Sequence, residues 1–180
     1  MLTKMIVTDS VVIRAVSPGE AADLAALCCQ IYQQHFTYLW TDEGRWYQDQ
    51  LYNEPRLKSE LTDPNVQYFF AAVANQAVGY LKVKLDSNLD NEPDGLEIER
   101  IYLLKEMAGR GVGKQLIERA FDIAQQLNKR YVWLKAMDSS VDSLHFYRKR
   151  GFNFAGETSL SYPQMKPEFR RMWQLKKQLR

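Results

Sequence analysis

The sequence has 180 residues, 46% of them hydrophobic and 12% aromatic, with a formal net charge of +2. Such a composition excludes a disordered chain, and the length suits one domain, expected over residues 1–180, that buries roughly 70% of its unfolded surface. A charge so near zero gives no argument for nucleic acid or a membrane surface as a partner.

In chain order, the opening MLTKMIVTDS lacks the apolar run of a secretory leader, and no later stretch approaches the roughly eighteen apolar residues of a membrane span, so a cytoplasmic location is expected. Val11 to Val16 (VVIRAV) reads as a strand. Ser17-Pro18 then opens a helix, with Ser17 as N-cap and Glu20 at the capping-box position, that carries Leu24, Leu27, Cys28 and Ile31 inward. Cys28 and Cys29 are adjacent in that helix and poorly placed to bridge each other, so no disulfide framework is expected. From Gln33 to Arg56 aromatic and polar residues mix: His35, Phe36, Tyr38, Trp40, Trp46, Tyr47 and Tyr52. Two readings stay open there, helix packing or a binding-site wall, because aromatics with polar tips hold an alkyl chain while staying wet.

Leu57 to Leu61 ends a short helix closed by Asp63-Pro64-Asn65. Val66 to Ala74 and Ala77 to Leu85 read as an antiparallel hairpin around an Asn75-Gln76 turn, and Asp86 to Asp94 as a polar loop. A strand from Leu96 runs into glycines 109, 111 and 113, after which Lys114 to Asn128 continues at helical spacing. Val112, Leu116, Ile117, Ala120, Phe121, Ile123, Ala124 and Leu127 form its apolar face. Tyr131 to Met137 is a nearly continuous β-type run, as expected of a strand covered on both faces. Ser139 to Arg150 reads as a helix with Val141, Leu144 and Tyr147 or Phe146 inward, stopped by Gly151. Phe152 to Ser161 and Glu168 to Leu175 close the chain as strands. The basic residues Arg170, Arg171, Lys176, Lys177 and Arg180 read as surface. The order implies an α/β protein whose mixed sheet carries helices on both faces.

The glycine turn is the sharpest chemical signal. Glycines at a helix entrance leave backbone N–H groups and the positive end of the helix dipole open to an anion, most simply a phosphate. A Walker loop would need Gly at Ala108 and Ser or Thr at Gln115; a dinucleotide fingerprint would need Gly at Lys114 and an acidic residue near Lys129 to Tyr131. Both fail. The stretch resembles the pyrophosphate loop of the Gcn5-related N-acetyltransferase (GNAT) family, [QR]-x-x-G-x-[GA], with Gly111 and Gly113 on the small positions and Ala108 where Gln or Arg is usual. LTDPNVQYFFAAVANQAVGY (61–80), IERIYLL (98–104) and FYRKRGF (146–152) extend the likeness over Val11 to Leu175, nearest to the PaiA-like polyamine acetyltransferases.

The resemblance implies a mostly antiparallel GNAT fold, acetyl-CoA as cofactor, and direct acetyl transfer to an amine. An alkylamine with a pKa near 10.4 is almost wholly protonated at pH 7, a deficit of roughly 4.6 kcal/mol at about 1.36 per pH unit. Glu97 and Glu99, two apart on a strand and so on one face, are the candidate bases, with Glu99 favoured; together they are expected to raise each other's pKa. An ion pair with Arg100 or a neighbouring strand is the structural alternative. The leaving thiolate gains from a proton donor, for which Tyr147 matches the family's tyrosine; a core aromatic is the alternative. The resemblance further implies that strand backbone at Ile101, Tyr102 and Leu103 meets the pantetheine, that Gly109, Arg110, Gly111, Val112, Gly113 and Lys114 hold the pyrophosphate, that Ser140 stands at an Asn position, and that Lys149, Arg148 or Arg150 meets the 3′-phosphate.

Asp86, Asp90, Glu92, Asp94, Glu97 and Glu99 form an acidic stretch without a basic residue, which points to a small cationic amine as partner, polyamine first; a solvated loop is the alternative. His35 and His145 are solitary, so no metal site is expected. Homodimerisation stays open. Acetylation of a protein N-terminus or lysine, and a non-catalytic acyl-CoA-binding module, are the competing functions.

Overall fold

A computed structural model describes residues 10–179, so the expectations for the first nine residues and for Arg180 lie outside it. Seven strands form one sheet in the order β1-β2-β3-β4-β5-β7-β6: β1 (Val11–Ala15), β2 (Val66–Val73), β3 (Gln76–Lys84), β4 (Gly95–Leu103), β5 (Tyr131–Met137), β6 (Asn153–Ser159) and β7 (Arg171–Gln178). Only β4 and β5 pair in parallel; every other neighbouring pair is antiparallel. This is the expected mixed α/β sheet.

One face carries α1 (Ala21–His35), α2 (Arg45–Leu51) and α3 (Glu54–Leu61). α1 buries Leu24, Leu27, Cys28 and Ile31, as its spacing requires, and Glu20 accepts hydrogen bonds from the backbone N–H and the hydroxyl of Ser17 at 2.9 and 3.0 Å. The other face carries α4 (Val112–Gln126) and, beside it, α5 (Val141–Arg148). α4 buries Val112, Leu116, Ile117, Ala120, Ile123 and Ala124; Phe121 stacks on Phe152, while Leu127 lies beyond the helix and is 47% exposed. Among the described residues no helix is long and apolar enough to cross a membrane.

Four boundaries move. The hairpin turn is Ala74-Asn75, both with positive φ, one residue before the Asn75-Gln76 turn expected; Asn75 supplies the left-handed conformation that such a turn demands. α5 begins at Val141, which is 72% exposed and not inward; Ser140 takes the N-cap and Leu144 the core. β7 runs from Arg171 to Gln178, so Lys176 and Lys177 are ladder residues bonded to Glu92 and to the Arg150 carbonyl, not a tail. The segment Asp86 to Asp94 is packed and not merely polar: Leu89 is buried with Tyr131 and Trp133, and Trp133 Nε1 donates to the Ser87 carbonyl at 2.9 Å.

Candidate active site

β4 pairs with β3 in regular register from Leu103 to Arg100 and again from Ile98, leaving Glu99 as an unpaired bulge residue between Lys82 and Val83. The bulge interrupts the strict alternation of side chains along β4. Glu97, Glu99 and Arg100 reach the face of Lys82 and Lys84, Tyr102 packs on Tyr80 and Phe36, and Leu103 turns to the opposite face against Gly113.

That face holds a buried ionic net. Lys82, 3% exposed, lies 2.8 Å from Glu60 and 3.0 Å from Glu99. Lys84 Nζ lies 3.0 Å from Glu99 Oε2 and 3.8 Å from Glu97; Lys135 lies 3.7 Å from Glu97, which also accepts the Ser87 hydroxyl at 2.9 Å. Burial alone would raise the Glu99 pKa, but Arg100, Lys82 and Lys84 overcome it and hold the carboxyl at about 2. The expected mutual raising of the two carboxyls is therefore overturned for Glu99, because cations and not Glu97 dominate its surroundings. Lys84 balances in the other direction: burial lowers its pKa, and Glu99 and Glu97 more than offset that. Glu99 Oε2 is buried and has Lys84 Nζ, 3.0 Å away, as its ion-pair partner.

β4 and β5 separate past this net. Their parallel ladder covers only Gly95 to Ile98 against Tyr131 to Leu134, whereas β4 continues to Leu103 and β5 to Met137. The backbone of Ile101, Tyr102 and Leu103 thus borders a wedge on the β5 side. At its end Gly109 and Gly111 adopt positive φ of 75° and 80°, with no atom within 4 Å of the position of an added Cβ, so both belong to an open cradle that favours glycine. Arg110 N–H is spent on the Met107 carbonyl at 3.4 Å, and Gln115 N–H is the first of the helix to reach its own turn, at Gly111. Val112, Gly113 and Lys114 precede any intrahelical acceptor, so their amides stand at the positive end of a 15-residue helix, ready for an anion. Lys114 itself lies 3.6 Å from Glu118.

α5 brings Phe146 against Gly113 and places Tyr147 edge-on to both Phe146 and Phe152. Burial pushes the Tyr147 pKa up, Arg150 opposes it, and the hydroxyl has no hydrogen-bond partner among the described residues. Burial pushes the Tyr102 pKa up, and the Glu99 carboxylate raises it further. Ser140 donates its hydroxyl to Ser143 at 2.8 Å, Arg148 lies over Trp173, Arg150 lies over Phe146, and Lys149 is exposed with no ion pair among the described residues.

The expected residues thus converge from Glu99 through Tyr102 to the loop and Tyr147, with Glu97 set back among Ser87, Lys84 and Lys135. Of the Gln33 to Arg56 aromatics, Trp40 and Tyr52 are core, Tyr38 is 51% exposed against Phe169, and Trp46 and Tyr47 pack on Tyr162 from the β6–β7 connection. The acidic stretch is largely neutralised: Asp86 pairs with Lys129, Glu92 with Lys176, and both glutamates with the net. Sequence reasoning missed Lys82 and Tyr162 and named Arg100 only as an ion-pair partner; lysines at alternate positions within the apolar run VGYLKVK were the available signal for the first. Two open clefts, of about 380 and 530 Å³, lie by Asn75 and Met107 and include neither Glu99 nor Tyr147.

Residues 25–152 match the Acetyltransferase (GNAT) family. An uncharacterized N-acetyltransferase in the pepI 3′ region of Lactobacillus delbrueckii subsp. lactis is 39% identical over 101 residues, 55% of this chain and 58% of that protein. Streptothricin acetyltransferase of Streptomyces lavendulae is 33% identical over 67 residues, 37% of this chain and 35% of that one. The chain therefore matches less than two thirds of either curated relative. The PaiA N-acetyltransferase of Thermoplasma acidophilum, solved in complex with coenzyme A, superposes with a TM-score of 0.75 at 17% identity, covering 94% of this chain and 99% of that one.

Proposed function

Because the chain belongs to the Acetyltransferase (GNAT) family, we propose that it is an acetyl-CoA-dependent N-acetyltransferase, folded as one domain, that acetylates a small primary amine directly in a ternary complex. The observation that carries this reading is the wedge between β4 and β5, which opens just past the Glu99 bulge, on the strand that leads to the open amides of Val112, Gly113 and Lys114. A diphosphate fits the loop, since neither Gly109 nor Gly111 has a neighbour that would crowd it. Held there, acetyl-CoA would supply the acyl group to the amine nitrogen as its C–S bond breaks, with CoA as the departing thiolate.

The chain's own residues then have separate tasks. The amides around 111–114 fix the diphosphate, and the β4 backbone at Ile101 to Leu103 orients the amide arm in the wedge. Tyr147 donates its proton toward the departing sulfur, its hydroxyl being uncommitted. Glu99, held at about 2, stays a carboxylate at pH 7 and is too weakly basic to keep a proton. Its role is to draw the ammonium to Oε2 and pass the proton on through water. The neighbourhood of Glu97 suits positioning, through the Ser87 hydroxyl and Lys84. Lys149 supplies the free cation for a 3′-phosphate. The cytoplasm is the proposed location.

An assay of CoA release from acetyl-CoA with spermidine, spermine, lysine-terminated peptides, an aminoglycoside and streptothricin tests the reading; turnover of at least one amine is expected. Streptothricin belongs in the panel because the Streptomyces relative is a streptothricin acetyltransferase. A second reading, an acyl-CoA-binding module, is favoured by Ser140 being spent on Ser143. It predicts that calorimetry detects CoA binding while no amine of the panel releases CoA, and that result would defeat the enzyme reading.

A further inference from the structure

Arg100 is 6% exposed, next to Lys82 the most enclosed cation of the site, and unlike Lys82 it is under-bonded. Nη1 donates to the Tyr68 hydroxyl at 3.1 Å. Glu60 and Glu99 stand 3.9 and 3.8 Å away, beyond hydrogen-bond reach, so Nε and Nη2 have no acceptor among the described residues. Neither nitrogen is fully buried, so an acceptor from a ligand can reach the idle N–H groups. Its surroundings carry idle donors as well: the hydroxyls of Tyr47, Tyr102 and Tyr162 make no hydrogen bond among the described residues, Tyr47 packs edge-on to Tyr162 and to Tyr52, over which Arg100 lies, and Tyr102 packs edge-on to Tyr80. Half-buried Lys84 closes the group beside Glu99. Arg56, Lys82, Lys84, Arg100 and Lys135 face Glu60, Glu97 and Glu99, leaving two cations in excess among the described residues.

We infer that the acceptor is an amino carboxylate: a molecule whose primary amine meets Glu99 while its carboxylate is held by Arg100 and the neighbouring tyrosine hydroxyls. The inference rests on the acetyltransferase reading and narrows its substrate class. A carboxylate supplies the lone pairs that the guanidinium lacks, and its charge offsets that of the molecule's own ammonium, whereas a polyamine brings more donors and more positive charge to a place short of neither. Arg100 stacks its guanidinium over the Tyr52 ring, 5.1 Å from the centroid, which fixes its plane for such a partner.

The test compares matched acceptors that differ only at the far end: 4-aminobutanoate against 4-aminobutanamide, and 6-aminohexanoate against 6-aminohexanamide, with spermidine alongside. The expected result is a kcat/KM for at least one acid about tenfold or more above that for its amide and above that for spermidine, the worth of one charge-assisted hydrogen bond. In Arg100→Gln that acid-to-amide ratio should fall toward one, and Arg100→Lys should restore part of it. The ratio is internal to each protein, so lost folding does not mimic the effect, and the wild-type ratio alone decides if the variants do not fold. Amides or spermidine turned over as well as the acids would overturn the inference and leave the acetyltransferase reading intact. No CoA release with any amine would remove both.

Discussion

The two halves of the site are built from opposite materials. The loop at 109–114 is made of backbone: open amides, two left-handed glycines and a helix end, with little contributed by side chains. The floor around Glu99 is made of charge: Lys82, Lys84, Arg100, Glu60 and Glu97, drawn from three elements and mostly buried. A backbone site tolerates a change such as Ala108 in place of the usual Gln or Arg, because the donors remain whatever the side chain is. A charge-built site tolerates little, because each removed partner strands another.

The sharpest way to break this contrast is Lys82→Met, which leaves Glu60 and Glu99 without their shared cation. We expect a loss of about 3–5 kcal/mol in unfolding free energy by urea denaturation, and a loss below 1 kcal/mol would mean that the net is solvated and not buried. Acid probes the same floor. Glu99 ordinarily titrates at 4.5 and is held at about 2. The stability it contributes is complete above the ordinary value and is lost as pH falls from about 4.5 to about 2, on the order of 3 kcal/mol in all. Glu99→Gln should flatten that part of the stability profile. Tyr147→Phe tests the joint between the halves: turnover should fall roughly 100-fold with little change in the KM for acetyl-CoA, and an unchanged kcat would return Tyr147 to the core. The smallest effect belongs to the loop. Gly111→Ala forces a side chain into φ of 80° and should cost about 1–2 kcal/mol, read as weaker CoA binding by calorimetry with the ionic floor unaffected.

The same contrast explains what was legible. Gly109, Gly111 and Gly113 announce an anion cradle from a single short stretch, and Tyr131 to Met137 reads as a buried strand with both ends right, because each depends on local chemistry alone. The floor depends on register. Glu99 meets Lys82 and Lys84 only because one residue bulges from β4, and no spacing in LEIERIYLL announces that bulge. The acidic stretch from Asp86 misled for a related reason: Lys129 and Lys176, which answer Asp86 and Glu92, lie on distant segments. Tyr162 reaches Trp46 and Tyr47 through a connection whose path is a tertiary fact, with Trp40 bridging to Met165 along the way.

β7 sits between β5 and β6 although it follows both in the chain. A ribosome releasing this protein therefore exposes the outer edge of β5, and the whole of β6, before their common neighbour exists. During that interval Lys135 and Phe154 flank unsatisfied ladders, so the nascent C-terminal portion has to be shielded or folded last. Circular permutants that deliver residues 171–178 ahead of β5 should shorten the interval and refold with less aggregation.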